Sequence, residues 1–136
     1  MEKYEFLPHT SEIKFKSYGQ TLNEAFENAV LAVASFIAKD SEIKPKKARV
    51  AQISGTDKEN LLYKLIEEQI SLIDTESFIT AKAQIQVLGN NLKATFYGDD
   101  TTNYNGLGEI KSPTYAEIYV KETENHNWEA QMVLDV

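Results

Sequence analysis

Thr21-Leu22-Asn23-Glu24 constrains this chain more than any other stretch. A threonine followed three residues later by a glutamate can satisfy two orphan backbone donors at a helix start. Beyond it, Leu22, Ala25, Phe26, Ala29, Val30, Val33, Phe36 and Ile37 recur at helical spacing, in a broad apolar stripe that stops at Lys39-Asp40-Ser41. Such a helix needs something to pack against. Thr56-Asp57-Lys58-Glu59 reads as a second capping box, and Leu61, Leu62, Leu65, Ile66, Ile70 and Ile73 follow at similar spacing. The pattern predicts a second helix running to about Ile73.

Period-two alternation predicts strands at Glu12 to Tyr18, Ala81 to Val87, Leu92 to Tyr97, Glu117 to Lys121 and Trp128 to Leu134. Tight-turn chemistry at Leu88-Gly89-Asn90-Asn91 and at Glu124-Asn125-His126-Asn127 joins them into two hairpins. Val50 to Ser54 also alternates, after the basic stretch Lys44-Pro45-Lys46-Lys47-Ala48-Arg49. That stretch reads as a solvated loop and edge, or as a docking spot for an acidic or RNA-bound partner. Asp99 to Gly108 lacks apolar periodicity and is expected to be a mobile loop. The fold class is α+β: two helices packed on one face of a largely antiparallel β-sheet, in a single compact domain over residues 1–136.

Composition narrows the chemistry. With no cysteine, thiolate catalysis, disulfides and cysteine metal sites are excluded, so any metal must use oxygen or histidine. A net charge of -7 repels polyanions, and RNA contact is expected only through a partner. No window has the apolar length of a bilayer span, and Met1-Glu2-Lys3-Tyr4 lacks the basic-then-apolar pattern of an export signal. A cytoplasmic, membrane-free protein is expected. There is no Gly-rich phosphate loop, GxSxG elbow or HExxH pair, so no catalytic residues are assigned. A metal-dependent hydrolase would lack any base or nucleophile beyond its own ligands.

Several polar residues stand out. Asp135 and Val136 close an apolar strand-like run, which places a strand-borne acid beside a terminal carboxylate, and Glu12 is the third oxygen donor to consider. Each acid alone reads equally as a solvated strand edge. His9 sits at a turn before a strand, either as a structural hydrogen-bonding group or as part of a site; His126 lies in a predicted turn and is expected to be solvated. Asp74-Thr75-Glu76 follows the second helix, where acids gain nothing from the helix dipole; the segment reads first as an exposed loop and otherwise as a cation or partner contact. Glu68 is the better of two adjacent glutamates to point towards a site. Lys111 reads equally as a solvated side chain or as one that reaches a partner carboxylate or a phosphate.

At these residues the chain resembles the archease family. His9-Thr10-Ser11-Glu12-Ile13, preceded by Tyr4-Glu5-Phe6-Leu7, is similar to the family's early Asp-His-Thr-Ala-Asp-Val motif. Tyr18-Gly19 and Thr21 to Ala29 match its first helix, Asp74-Thr75-Glu76 the end of its second, Glu109 to Tyr115 a late motif, and Val133-Leu134-Asp135-Val136 its close. The resemblance implies a non-catalytic activator of an RtcB-type RNA ligase, promoting that enzyme's guanylylation and multiple turnover in tRNA splicing and RNA repair. It also implies a divalent cation, calcium first with manganese or magnesium as alternatives, held by Glu12, Asp135 and Val136. His9, Glu68, Asp74, Glu76 and Lys111 are then the expected partner-binding residues. The alternative is a general protein or RNA chaperone without a metal requirement. Four positions depart from the family pattern: Pro8 and Glu12 replace its two early aspartates, Ala116 a frequent histidine, and Pro113 interrupts an apolar step.

Overall fold

Thr21 caps the first helix, α1 (Leu22–Ala38), by accepting the Glu24 N–H on its hydroxyl at 3.1 Å. The Glu24 carboxylate turns back to the Gln20 N–H, one residue before the partner a capping box would use. A computed structural model describes all residues from Met1 to Val136. In it α1 is enclosed more fully than its stripe predicts, because Asn28, Ala32 and Ala34 are buried as well. Small side chains on its remaining faces let strands approach from both sides.

The second helix, α2 (Lys58–Glu76), corrects two sequence expectations. Its cap is Asp57, whose carboxylate accepts the Asn60 N–H at 2.7 Å, so Thr56 lies outside the helix. Glu59, expected to close the box, instead accepts the Val120 N–H. The helix also continues past Ile73 to Glu76 and stops at Ser77, which is left-handed with φ 51°. Asp74 and Glu76 therefore occupy the last turn rather than a loop.

Seven strands form two antiparallel sheets, not one. β1 (Tyr4–Leu7), β2 (Glu12–Gly19), β7 (Trp128–Asp135) and β6 (Ser112–Glu122) make the first, in the order β1-β2-β7-β6. β3 (Lys47–Ser54), β5 (Asn91–Asp100) and β4 (Phe78–Leu88) make the second, in the order β3-β5-β4. Both predicted hairpins, β4–β5 and β6–β7, form. β1 has no counterpart among the predicted strands: four residues are too few for alternation to be seen. Each helix lies against strands of both sheets, α1 chiefly on β2 and β4 and α2 on β6 and β4. Phe15, Phe26, Phe78 and Phe96 fill the shared core with Leu61, Leu65, Met132 and Leu134.

Two edge strands are covered by helix side chains. Asn23 and Glu27 of α1 accept the Val87 and Ile85 N–H groups of β4, both at 2.9 Å, and Glu59 of α2 serves β6 in the same way. These contacts satisfy donors that an open edge would offer to another chain. The segment expected to be a mobile loop from Asp99 is also revised. Asp99 and Asp100 complete β5, and a 3-10 turn follows at Thr101–Asn103. Asp99 is only 2% exposed, and its carboxylate accepts the Tyr104 hydroxyl, the Asn103 amide and the Asp100 N–H. The Tyr104 hydrogen bond holds this carboxyl below its ordinary value.

Candidate functional site

The pairing of β2 with β7 decides where the two ends of the chain meet. Phe15 and Ser17 of β2 face the core, so Glu12, Lys14, Lys16 and Tyr18 face outward. The register places Glu12 opposite Asp135 and Lys14 opposite Val133. Asp135 also faces Ser112 of β6, giving an outward row of Glu12, Asp135 and Ser112 across three strands. Both carboxylates are half-buried. Like charges directly opposite on a sheet are destabilising, a cost that positive charge at the pair would offset.

His9 sits beside the pair. Its Nδ1 lies 3.3 Å from Glu12 Oε1, within ion-pair range, yet is shielded from solvent and makes no hydrogen bond. Its Nε2 is 3.0 Å from Glu117 Oε2, and the other oxygen of Glu117 accepts from Lys14 Nζ at 3.0 Å. These contacts, Lys14 first and His9 second, hold the Glu117 carboxyl below its ordinary value.

Glu117 reaches them through an interruption of β6. Between Thr114 and Tyr119 that strand advances five residues while β7 advances from Val133 only to Gln131. Several contacts pin the bulge. The Tyr115 ring stacks on Tyr63 of α2 with centroids 4.1 Å apart, the Thr114 hydroxyl donates to the Val133 carbonyl, and the Gln131 amide donates to the Glu117 carbonyl. Glu117 itself is left-handed, with φ 55°. Val133, though on the outward face, is fully buried.

On the other side of Asp135, the Lys111 N–H donates to the Asp135 carbonyl at 2.8 Å. Lys111 and Asp74 line a common cleft of about 260 Å³ with Ile70, Ile73 and Gly108 to Ile110. The structure therefore gathers Glu12, Asp135 and His9 around one register pair, and joins Lys111 and Asp74 to it through the end of β7. Val136 follows directly and is exposed. Glu76 is drawn away by Arg49 Nε at 2.5 Å, and Glu68 does not line the cleft.

Sequence reading missed Glu117, which it took for the first residue of a regular strand. Regular pairing resumes only at Tyr119, and nothing in a period-two pattern marks a glutamate in a left-handed bulge. His126 is exposed, as expected, with its ring near Glu122.

Chemically, the register pair offers hard oxygen donors, which suit calcium, magnesium or manganese rather than a soft metal. No three His, Asp or Glu side chains converge into a ready-made metal cluster. Glu12, Asp135 and an oxygen of Val136 would supply about three of the six or more donors such an ion takes, the rest coming from water or a partner. The donor type, hard oxygen throughout, suits such a cation.

Comparison with known proteins assigns the fold and the lineage. A profile of the archease protein family matches residues 4–136. The chain is 35% identical over 130 residues to protein archease of Sulfurisphaera tokodaii, covering 93% of this chain and 94% of that one. It is 30% identical to protein archease of Pyrococcus abyssi, with all of both chains covered. Its structure resembles the solution structure of protein 1598 of Methanobacterium thermoautotrophicum, with a TM-score of 0.79, 27% identity and full coverage of both chains. It also resembles an archease of Thermotoga maritima, described as a possible chaperone, with a TM-score of 0.63, 18% identity and coverage of 96% and 94%. No helix is long and apolar enough to cross a membrane. This chain belongs to the archease family.

Proposed function

We propose that this chain is a non-catalytic activator of an RtcB-type RNA ligase, promoting guanylylation of that enzyme and its multiple turnover in tRNA splicing and RNA repair. A divalent cation, calcium by first preference, is held by Glu12, Asp135 and Val136. The observation that carries this reading is the direct opposition of Glu12 and Asp135 at one register position. Two half-buried carboxylates set against each other cost stability unless a cation or partner group neutralises them. When bound, the cation supplies positive charge and open coordination sites for a partner's oxygen ligands.

The protein's own residues perform the rest. Glu12 and Asp135 hold the cation at a sheet end, the Lys111 N–H fixes the backbone of Asp135, and the Lys111 ammonium with Asp74 presents a polar cleft to the ligase surface. RNA is contacted by the ligase alone, consistent with a net charge of -7. The setting is cytoplasmic.

The test is a covalent nucleotide-transfer assay with the ligase of the same organism, GTP and manganese, comparing the unaltered chain with Asp135→Ala. The proposal predicts that stimulation is lost in the variant. Unchanged stimulation removes the site from the mechanism, and stimulation that survives chelation favours a chaperone without a metal requirement.

A further inference from the structure

We propose that Glu117 is a positioning residue for the cation site, acting through His9 to fix the direction of Glu12. This role rests on the cation reading and extends it to a residue from a third strand. β6 is separated from β2 by β7, so a regular β6 residue would stand two strand spacings, roughly 10 Å, from Lys14 and His9. The bulge closes that gap and sets the Glu117 carboxylate 3.0 Å from both His9 Nε2 and Lys14 Nζ.

A glutamate at φ 55° occupies a region that glycine and asparagine tolerate better, and the fold holds it there with the Tyr115 stack and the Gln131 hydrogen bond. A bulge needed only to bury Val133 would be served by asparagine or glycine at this position. What those residues cannot supply is a carboxylate long enough to grip two groups across a neighbouring strand.

An ionised carboxylate only accepts, so His9 Nε2–H donates to Glu117, a tautomer assigned from the hydrogen-bond network. The ring is thereby oriented with an unprotonated Nδ1 facing Glu12 Oε1 at 3.3 Å, so no ring proton engages the Glu12 carboxylate and the contact confines it by repulsion rather than by a hydrogen bond. Nδ1 stands against Glu12 on one side, with Asp135 opposite it on the other. Lys14 neutralises Glu117, so the grip on His9 does not add a further free negative charge to the site. Outer groups that orient a ligand in this way commonly change metal affinity when removed.

Two variants test the role, Glu117→Gln and Glu117→Asn, each read by calcium titration calorimetry, by nitrogen NMR of the His9 ring in calcium-free protein, and by urea unfolding. Calcium affinity is expected to fall about tenfold in both. The His9 ring signals shift as the Nε2 contact is lost. Asparagine tolerates the left-handed backbone, so the Asn variant keeps or gains stability while losing affinity. A merely structural Glu117 would lower stability and affinity together.

Unchanged His9 signals overturn the grip, and unchanged affinity alongside shifted His9 signals overturns the positioning role alone. If the unaltered protein binds no calcium, the cation reading falls and this role falls with it.

Discussion

β4–β5 and β6–β7 are both antiparallel hairpins closed by short turns, yet they break register very differently. β4 slips by a single residue between Thr80 and Lys82, whereas β6 leaves most of the segment from Tyr115 to Ile118 unpaired. The first slip lies in a buried region. A Cβ on Gly98 of β5 would sit 1.9 Å from the Ile79 carbonyl oxygen, and Phe78, Ile79 and Phe96 nearby are almost fully buried. The second lies in exposed chain, where Tyr115, Ala116 and Glu117 contribute little to the core. Both hairpins carry core residues, but the first keeps its slip inside the packing, whereas the second gives up regular pairing on exposed β6 and sets a carboxylate beside His9 and Lys14. Both are irregular for a physical reason, but only the first reason is packing.

That contrast can be broken by mutation. Phe96→Ala removes a fully buried ring from β5 and is expected to cost about 4 kcal/mol in urea unfolding. A cost like that of an exposed ring would deny the first hairpin its structural role. Gly98→Ala forces strand backbones apart and should cost about 3 kcal/mol by the same measurement. Tyr115→Ala, which removes an exposed stack on Tyr63, should cost only about 1 kcal/mol. If the bulge proved as costly to disturb as Gly98, the division between the hairpins would fail.

Asp57→Ala should cost about 1 kcal/mol and Thr56→Ala almost nothing, which separates the observed helix cap from the one the sequence suggested.

The smallest effect is in pH. Glu117 has a folded-state pKa below its ordinary 4.5, chiefly through Lys14 and then His9. Its stabilising contribution is complete above that ordinary value and is lost as pH falls through the lower folded value. The stability difference between the unaltered protein and Glu117→Gln should therefore not shrink from about pH 7 to pH 5 and should shrink only at more acidic pH. A difference that shrank already between those limits would contradict the ion pair with Lys14.

The helices and both hairpins were legible in the sequence because stripes and alternation record which face is buried. The split into two sheets was not, since residues on either side of α1 and α2 look equally apolar whichever sheet they face. Thr56 misled because threonine and aspartate both cap helices, and only the backbone decides between them. At the site, Glu12, Asp135 and His9 came from a motif and a chain end, and the β2–β7 register supplies their meeting. Glu117 was invisible, because its reach depends on a bulge that no local pattern encodes. Glu76 was visible as an acid in an unfavourable place, and Arg49 is the reason it is tolerated there.

Calcium titration calorimetry on the unaltered protein and on Asp135→Asn tests most directly whether Glu12 and Asp135 share a cation. The account predicts one calcium bound per chain and loss of that binding in the variant, whose circular dichroism stays unchanged. Equal calcium binding by both proteins would contradict it.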